Sequence, residues 1–176
     1  SSYAITQNGS LYTWGKNEYG QLGNGTIDNS YFPIKVLDNV IMAEVGDGYS
    51  AAITKDGSLY TWGRNEYGQL GNGTTENSNV PVKVMNNVAI VKIHDYSYVS
   101  AITKIGQLYM WGMNKDGRLG NGTANNSSIP TKILDHVIYM KSVERRCAAI
   151  TTNGQLYMWG WNLSGQIGTG STSSSY

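Results

Sequence analysis

The chain has 176 residues, 14% of them charged, and a formal net charge of +1. Such a balance leaves no field to gather phosphate or anionic lipid, so neither nucleic acid nor a membrane surface is expected as a partner. A single cysteine, Cys147, excludes an intrachain disulfide and a cysteine metal cluster; no apolar run reaches membrane-spanning length, and the polar opening SSYAITQNGS reads as neither signal nor transit peptide.

The chain begins with a run of small residues, Tyr3-Ala4-Ile5-Thr6, and then Leu11-Tyr12-Thr13-Trp14-Gly15. A glycine-rich loop, Gly20 to Gly25, leads to Phe32-Pro33-Ile34-Lys35-Val36, and the apolar run Val40 to Val45 follows. The same order returns with Ala51-Ala52-Ile53-Thr54, the stretch Leu59 to Gly73, Val80-Pro81-Val82-Lys83-Val84 and Val88 to Ile93. It returns again with Ser100-Ala101-Ile102-Thr103, Leu108 to Gly122, Ile129-Pro130-Thr131-Lys132-Ile133 and Val137 to Val143. A last round supplies Ala148-Ala149-Ile150-Thr151 and the stretch Leu156 to Gly170. The motif copies at 11–25, 59–73, 108–122 and 156–170 read LYTWGKNEYGQLGNG, LYTWGRNEYGQLGNG, LYMWGMNKDGRLGNG and LYMWGWNLSGQIGTG. Their anchors Trp14, Trp62, Trp111 and Trp159 stand 48, 49 and 48 residues apart. A fixed period of this size marks a repeat protein, and each period has the length of one β-propeller blade.

Each period reads as four short antiparallel strands. The apolar run is continuous enough to be buried on both faces and is expected to be the first and innermost. Small residues make the second strand, and LYTWG, bounded by turn residues such as Lys55-Asp56-Gly57, makes the third. All three prolines fall in register in the remaining strand, each followed two residues on by lysine. Proline cannot donate a ladder hydrogen bond and lysine discourages stray pairing, so this strand is expected on the outer rim. The second and third strands occur four times, the first and outer strands three times. The fold class is therefore all-β: one repeat domain over 1–176, with about three and a half four-stranded propeller blades. An open arc is expected, belonging to a larger or oligomeric propeller, with apolar blade flanks that favour self-association.

Strand, turn, WGxNxxGQLGxG and proline-bearing strand at this period resemble the repeat of the regulator-of-chromosome-condensation family. The absence of a Trp-Asp dipeptide sets WD40 aside, and that of a Gly-Gly doublet sets kelch aside. The resemblance implies the seven-bladed propeller of that family, whose members include a guanine-nucleotide exchange factor on chromatin, a plant ultraviolet-B receptor, a secreted bacterial β-lactamase inhibitor and many bacterial surface proteins. Fold alone therefore leaves function open. Where the family usually has His followed by Ser or Thr after the first strand, this chain has Tyr49-Ser50, Tyr98-Val99 and Arg146-Cys147. The photoreceptor's extra tryptophans and the exchange factor's basic tail have no counterparts. The bacterial type, rich in Asn, Ser, Thr, Gly and Tyr, is the remaining match, and with it an extracellular or cell-surface setting is expected.

Catalysis finds little in the residues. His94 and His136 lie at turns or strand ends with no HExxH and no GxSxG, and the carboxylates Glu44, Asp47 and Glu144 are scattered. Cys147 follows two arginines, which would lower its pKa, yet it occupies a second-strand position better suited to a buried small side chain. The GxxGxG loop is not a phosphate cradle, and the Asn-Gly-Thr triplets at Asn24, Asn72 and Asn121 are explained by turn chemistry. Neither cofactor nor metal is expected. Variation collects instead in the turn between first and second strands, predicted to share one face with the glycine-rich loop. Tyr49, His94, Tyr96, Tyr98, Arg145, Arg146 and the odd Trp161 are the candidate partner-binding residues, since Tyr, Trp and Arg dominate interfaces. A non-catalytic protein-binding or scaffold module is expected; the alternatives are a self-associating spacer, a carbohydrate binder using Trp161, and nucleotide exchange.

Overall fold

The structure is a computed structural model that describes residues 1–175. Its first sheet holds β1 (Ser2–Ile5), β2 (Leu11–Gly15) and β3 (Ser30–Leu37). The second holds β4 (Val40–Val45), β5 (Tyr49–Thr54), β6 (Leu59–Gly63) and β7 (Ser78–Met85). The third holds β8 (Val88–His94), β9 (Tyr98–Thr103), β10 (Leu108–Gly112) and β11 (Ser127–Leu134), and the fourth β12 (Val137–Val143), β13 (Arg146–Thr151) and β14 (Leu156–Gly160). Neighbours in sequence are neighbours in each sheet and all pairs are antiparallel, as propeller blades require. One turn of 3-10 helix, Lys115–Gly117, interrupts the strands.

The prolines sit at the sheet edges, in a bulge the sequence did not announce. Thr13 pairs with Ile34 and Gly15 with Ser30, so Tyr31, Phe32 and Pro33 together oppose Trp14. Pro81 and Pro130 lie in the same jump of register. There the ladder is already broken, and a residue without an N–H costs nothing.

Three apolar joints hold the four sheets together. Leu11 of the first sheet meets Val40, Ala43, Ala52 and Trp62 of the second. Tyr49, Ala51, Ile53 and Leu59 on the other face of the second meet Val88, Val91, Val99, Ala101 and Trp111 of the third. Tyr98, Leu108 and Met110 then meet Val137, Cys147, Ala149 and Trp159 of the fourth. Alternation along β5 explains the sharing: successive side chains point to opposite faces, so Ala51 serves one joint and Ala52 the other. Sheets approach most closely through their first and second strands, which puts β4 and β8 on the inner side.

Burial of the first strands on both faces does not hold. Val40, Val88 and Val137 are buried, whereas Ile41, Ile90, Ile138 and Tyr139 are exposed. A first strand ends its sheet, and these residues have no layer over them. A continuous apolar run cannot reveal that difference.

Candidate interaction face and the joint beneath it

The repeated motif builds each joint by one device. Trp62, Trp111 and Trp159 are buried, and each donates its indole Nε1–H to a carbonyl of the preceding repeat's loop: Gln21 at 2.9 Å, Gln69 at 3.0 Å and Arg118 at 2.9 Å. The indole lies against a loop glycine. A Cβ on Gly23, Gly71 or Gly120 would come within 2.7, 2.6 and 2.7 Å of indole atoms, and all three have positive φ. Only glycine meets both demands.

The motif asparagine is the polar centre of the loop, a role sequence reasoning overlooked. Asn65 is fully buried; its Oδ1 accepts from Leu70 N at 2.9 Å and its Nδ2 donates to Thr74 O at 3.0 Å and Glu76 O at 2.9 Å. Asn17, Asn114 and Asn162 are buried and bonded in the same way. The signal was present: asparagine stands two residues after Trp-Gly in all four copies. The Asn-Gly-Thr asparagines fold inward too, Asn72 accepting from Thr74 N at 3.1 Å.

The turn between first and second strands does lie beside the glycine-rich loop. The residue after Trp-Gly donates its backbone N–H to that turn, Arg64 to Gly48 O at 2.8 Å, Met113 to Ser97 O at 2.9 Å and Trp161 to Arg145 O at 3.0 Å. The seven candidate residues divide into two groups. Tyr49, Tyr98 and His94 belong to the joint: Tyr49 is 2% exposed and its hydroxyl donates to the carbonyls of Tyr98 and His94, each at 3.2 Å. Tyr98 is fully buried, bonded to Ser142 Oγ and stacked on His94 at 4.7 Å. His94 Nε2 lies 2.7 Å from Ser100 Oγ. Burial, helped by Lys92, pulls the His94 pKa down to about 4, and burial raises the hydroxyl pKa of both tyrosines above the ordinary range.

Tyr96, Arg145 and Trp161 come together on the surface, where with Glu144 they line a shallow notch. Tyr96 is 46% exposed, and its ring has the Arg118 guanidinium 5.2 Å from its centroid and that of Arg145 at 5.4 Å. Both arginines reach one carboxylate oxygen, Asp116 Oδ2, at 3.4 Å each. That is long for a charge-assisted bond, which is usually about 2.7–2.9 Å. Arg118, where the other copies carry glutamine, is buried beneath the cluster, donates from Nε to Lys115 O at 2.7 Å, and has its pKa lowered by that burial. Arg146 pairs with Glu144 at 3.6 Å at the edge of the cluster.

Backbone strain gathers here as well. Tyr96, Ser97, Asp116 and Glu144 all have positive φ, whereas the preceding repeat places Gly48 in its turn. A non-glycine residue in that region costs about 1–2 kcal/mol, and the surrounding structure has to impose it. Cys147, beneath the cluster, donates to Arg118 O at 3.4 Å, and burial pushes its thiol up to about 11 despite the nearby guanidinium.

Four antiparallel sheets linked in series by three Trp-to-loop joints define a propeller of tryptophan-anchored blades. The family model described as "Regulator of chromosome condensation (RCC1) repeat" matches residues 8–53, 56–94 and 106–148, and a second model of the same description matches 144–166. The chain belongs to the RCC1 repeat family. Among solved structures it is similar to human WBSCR16, with 26% identity and a TM-score of 0.78 over 99% of this chain and 48% of that one. It is also similar to Prp20p of Saccharomyces cerevisiae, from a study that includes its binding properties to Gsp1p and histones, at 21% identity and TM-score 0.76 over 98% of this chain and 46% of that one. Yeast RCC1 (Prp20) with Kap60 bound gives 21% identity and TM-score 0.78 over 98% and 44%. The chain thus spans about half the length of these structures.

Proposed function

We propose that this chain is a non-catalytic protein-interaction module whose contact face is the notch of Tyr96, Arg145 and Trp161, with Arg146 at its rim. One observation carries the reading: two guanidinium groups share a single, distant carboxylate beside two partly exposed aromatic rings. Arg145, with 40% of its side chain exposed, retains donors for a partner's carboxylate, and the rings offer apolar area at low entropic cost. The partner is accordingly an acidic protein segment that carries an apolar or aromatic side chain. Relatives of the same fold bind proteins, Gsp1p, histones and Kap60 among those named with them. The low net charge argues against nucleic acid and membrane. The composition, rich in Asn, Ser, Thr, Gly and Tyr, supports a bacterial protein of secreted or surface type.

Panning a peptide display library on the chain tests this reading. Acidic peptides with aromatic residues are expected to be enriched, and the enriched peptides are expected to bind Tyr96→Ala, Arg145→Ala and Trp161→Ala at least about tenfold more weakly, with unchanged thermal unfolding. Equal binding by all three variants would remove the notch as the contact face.

A further inference from the structure

The turn face holds a second hollow, and its charge is opposite to that of the notch. Where the turns of the second and third sheets meet, a cavity of about 380 Å³ opens, large enough for an entering side chain. Val45, Ile93 and Tyr49 give it an apolar wall, and Asp47 and Asp95, one from each turn and both exposed, give it its charge. His94 lines it too, but with a pKa near 4 it is neutral at pH 7.

Among the described residues neither carboxylate has an ion-pair partner, because the cations around them are engaged elsewhere. Lys16 pairs with Glu18 at 3.0 Å, Arg64 with Glu66 and Lys92 with Glu44. Burial first, and then the charges of Asp95 and Asp47, raise the Tyr49 hydroxyl pKa, so the two carboxylates bear on one wall residue. A hollow lined by one sign of charge concentrates the field and draws a counter-charge. Tyr96 links this hollow to the notch: it lines both, and its ring carries the Arg118 and Arg145 guanidinium groups. One exposed ring thus divides an arginine cluster from two unpaired carboxylates.

We infer that the cavity between Asp47 and Asp95 receives a lysine side chain of the protein partner that the notch engages. The inference rests on the turn face being the contact face. The four-carbon stem lies along Val45, Ile93 and Tyr49 while the ammonium stays at the exposed rim between the carboxylates, as amphipathic side chains do. Lysine fits better than arginine, because the Tyr96 ring, the platform a guanidinium would seek, already carries two. The partner segment therefore bears both signs of charge, an acidic residue for Arg145 and a lysine close to it in sequence. A purely acidic segment is disfavoured by Asp47 and Asp95.

Titration of the nitrogen-labelled chain with Nα-acetyl-lysine methylamide at pH 7, followed by NMR, tests the inference. The control is the norleucine analogue, which keeps the four-carbon stem and lacks the ammonium. The lysine probe is expected to shift the amides of Gly46, Asp47, Asp95 and Ser97 and to saturate at about 1–10 mM. The norleucine probe should bind about fivefold more weakly or worse, the worth of two partly exposed ion pairs. The double variant Asp47→Asn, Asp95→Asn should unfold as the wild type does and bind both probes alike. Arg145→Ala and Trp161→Ala should bind the lysine probe at least as tightly as the wild type, so a failed notch and a failed cavity give different results. A lysine probe that binds no better than norleucine, shifts at other amides only, or a preference for lysine that survives in the double variant would overturn the inference.

Discussion

The joint between the second and third sheets and the joint between the third and fourth share a backbone and differ in filling. In the former, Gln69 supplies the carbonyl for Trp111, and Tyr49 and Val99 complete the wall. In the latter, Arg118 supplies the carbonyl for Trp159, with Tyr98 and Cys147 in those places. Indole, loop glycine and motif asparagine are identical in both. What the joint demands is thus confined to groups that touch backbone, while the side chains toward the turn face can change from amide to guanidinium. The Arg118–Tyr96–Arg145 cluster grows out of that tolerance.

The comparison breaks most severely at the shared part. Gly71→Ala forces a side chain into the left-handed region and against the Trp111 indole, so a loss of about 2–5 kcal/mol is expected in urea unfolding. Gly73→Ala has similar φ and no neighbour, so it should lose only about 1–2 kcal/mol, which isolates the indole contact. Asn65→Ala leaves Leu70 N and the carbonyls of Thr74 and Glu76 without their partner and should cost about 2–4 kcal/mol.

A smaller effect distinguishes the joints by pH. With its folded pKa held near 4, His94 binds its proton more weakly in the native than in the unfolded chain. Stability is therefore full above the ordinary histidine pKa of about 6.5 and falls as pH drops toward 4, by at most about 3 kcal/mol. Urea midpoints from pH 7 to 4.5 should show this fall, and His94→Gln should flatten it. Smallest of all, Arg118→Gln restores the residue of the other copies and removes a buried charge, so its stability change should stay within about 1 kcal/mol while peptide binding at the notch weakens. Cys147, with its thiol near 11, should react with iodoacetamide at pH 8 about a hundredfold more slowly in the native chain than after unfolding.

The strands, their order within a sheet and the rim position of Pro33, Pro81 and Pro130 were legible because each depends on local chemistry. The notch was legible only in part. Tyr96, Arg145 and Trp161 stood out as departures from a constant frame, but Tyr49 and Tyr98 carried the same mark and are wall residues. They begin β5 and β9 and share a face with the inward residues two and four positions on, so the strand period could have separated them from Tyr96. His94 gave no such signal, since its burial comes from stacking on Tyr98 and from Ser100 across the hairpin.

Repeat length, the four-strand period and the residues of the loop were determined by the sequence by itself, because backbone dihedrals, ladder hydrogen bonds and alternation act over a few residues. Only the tertiary structure decided what meets across a joint. Trp62 reaches Gln21, 41 positions earlier, and Arg145 meets Asp116, 29 positions earlier. Such pairings follow from how one sheet leans on the next.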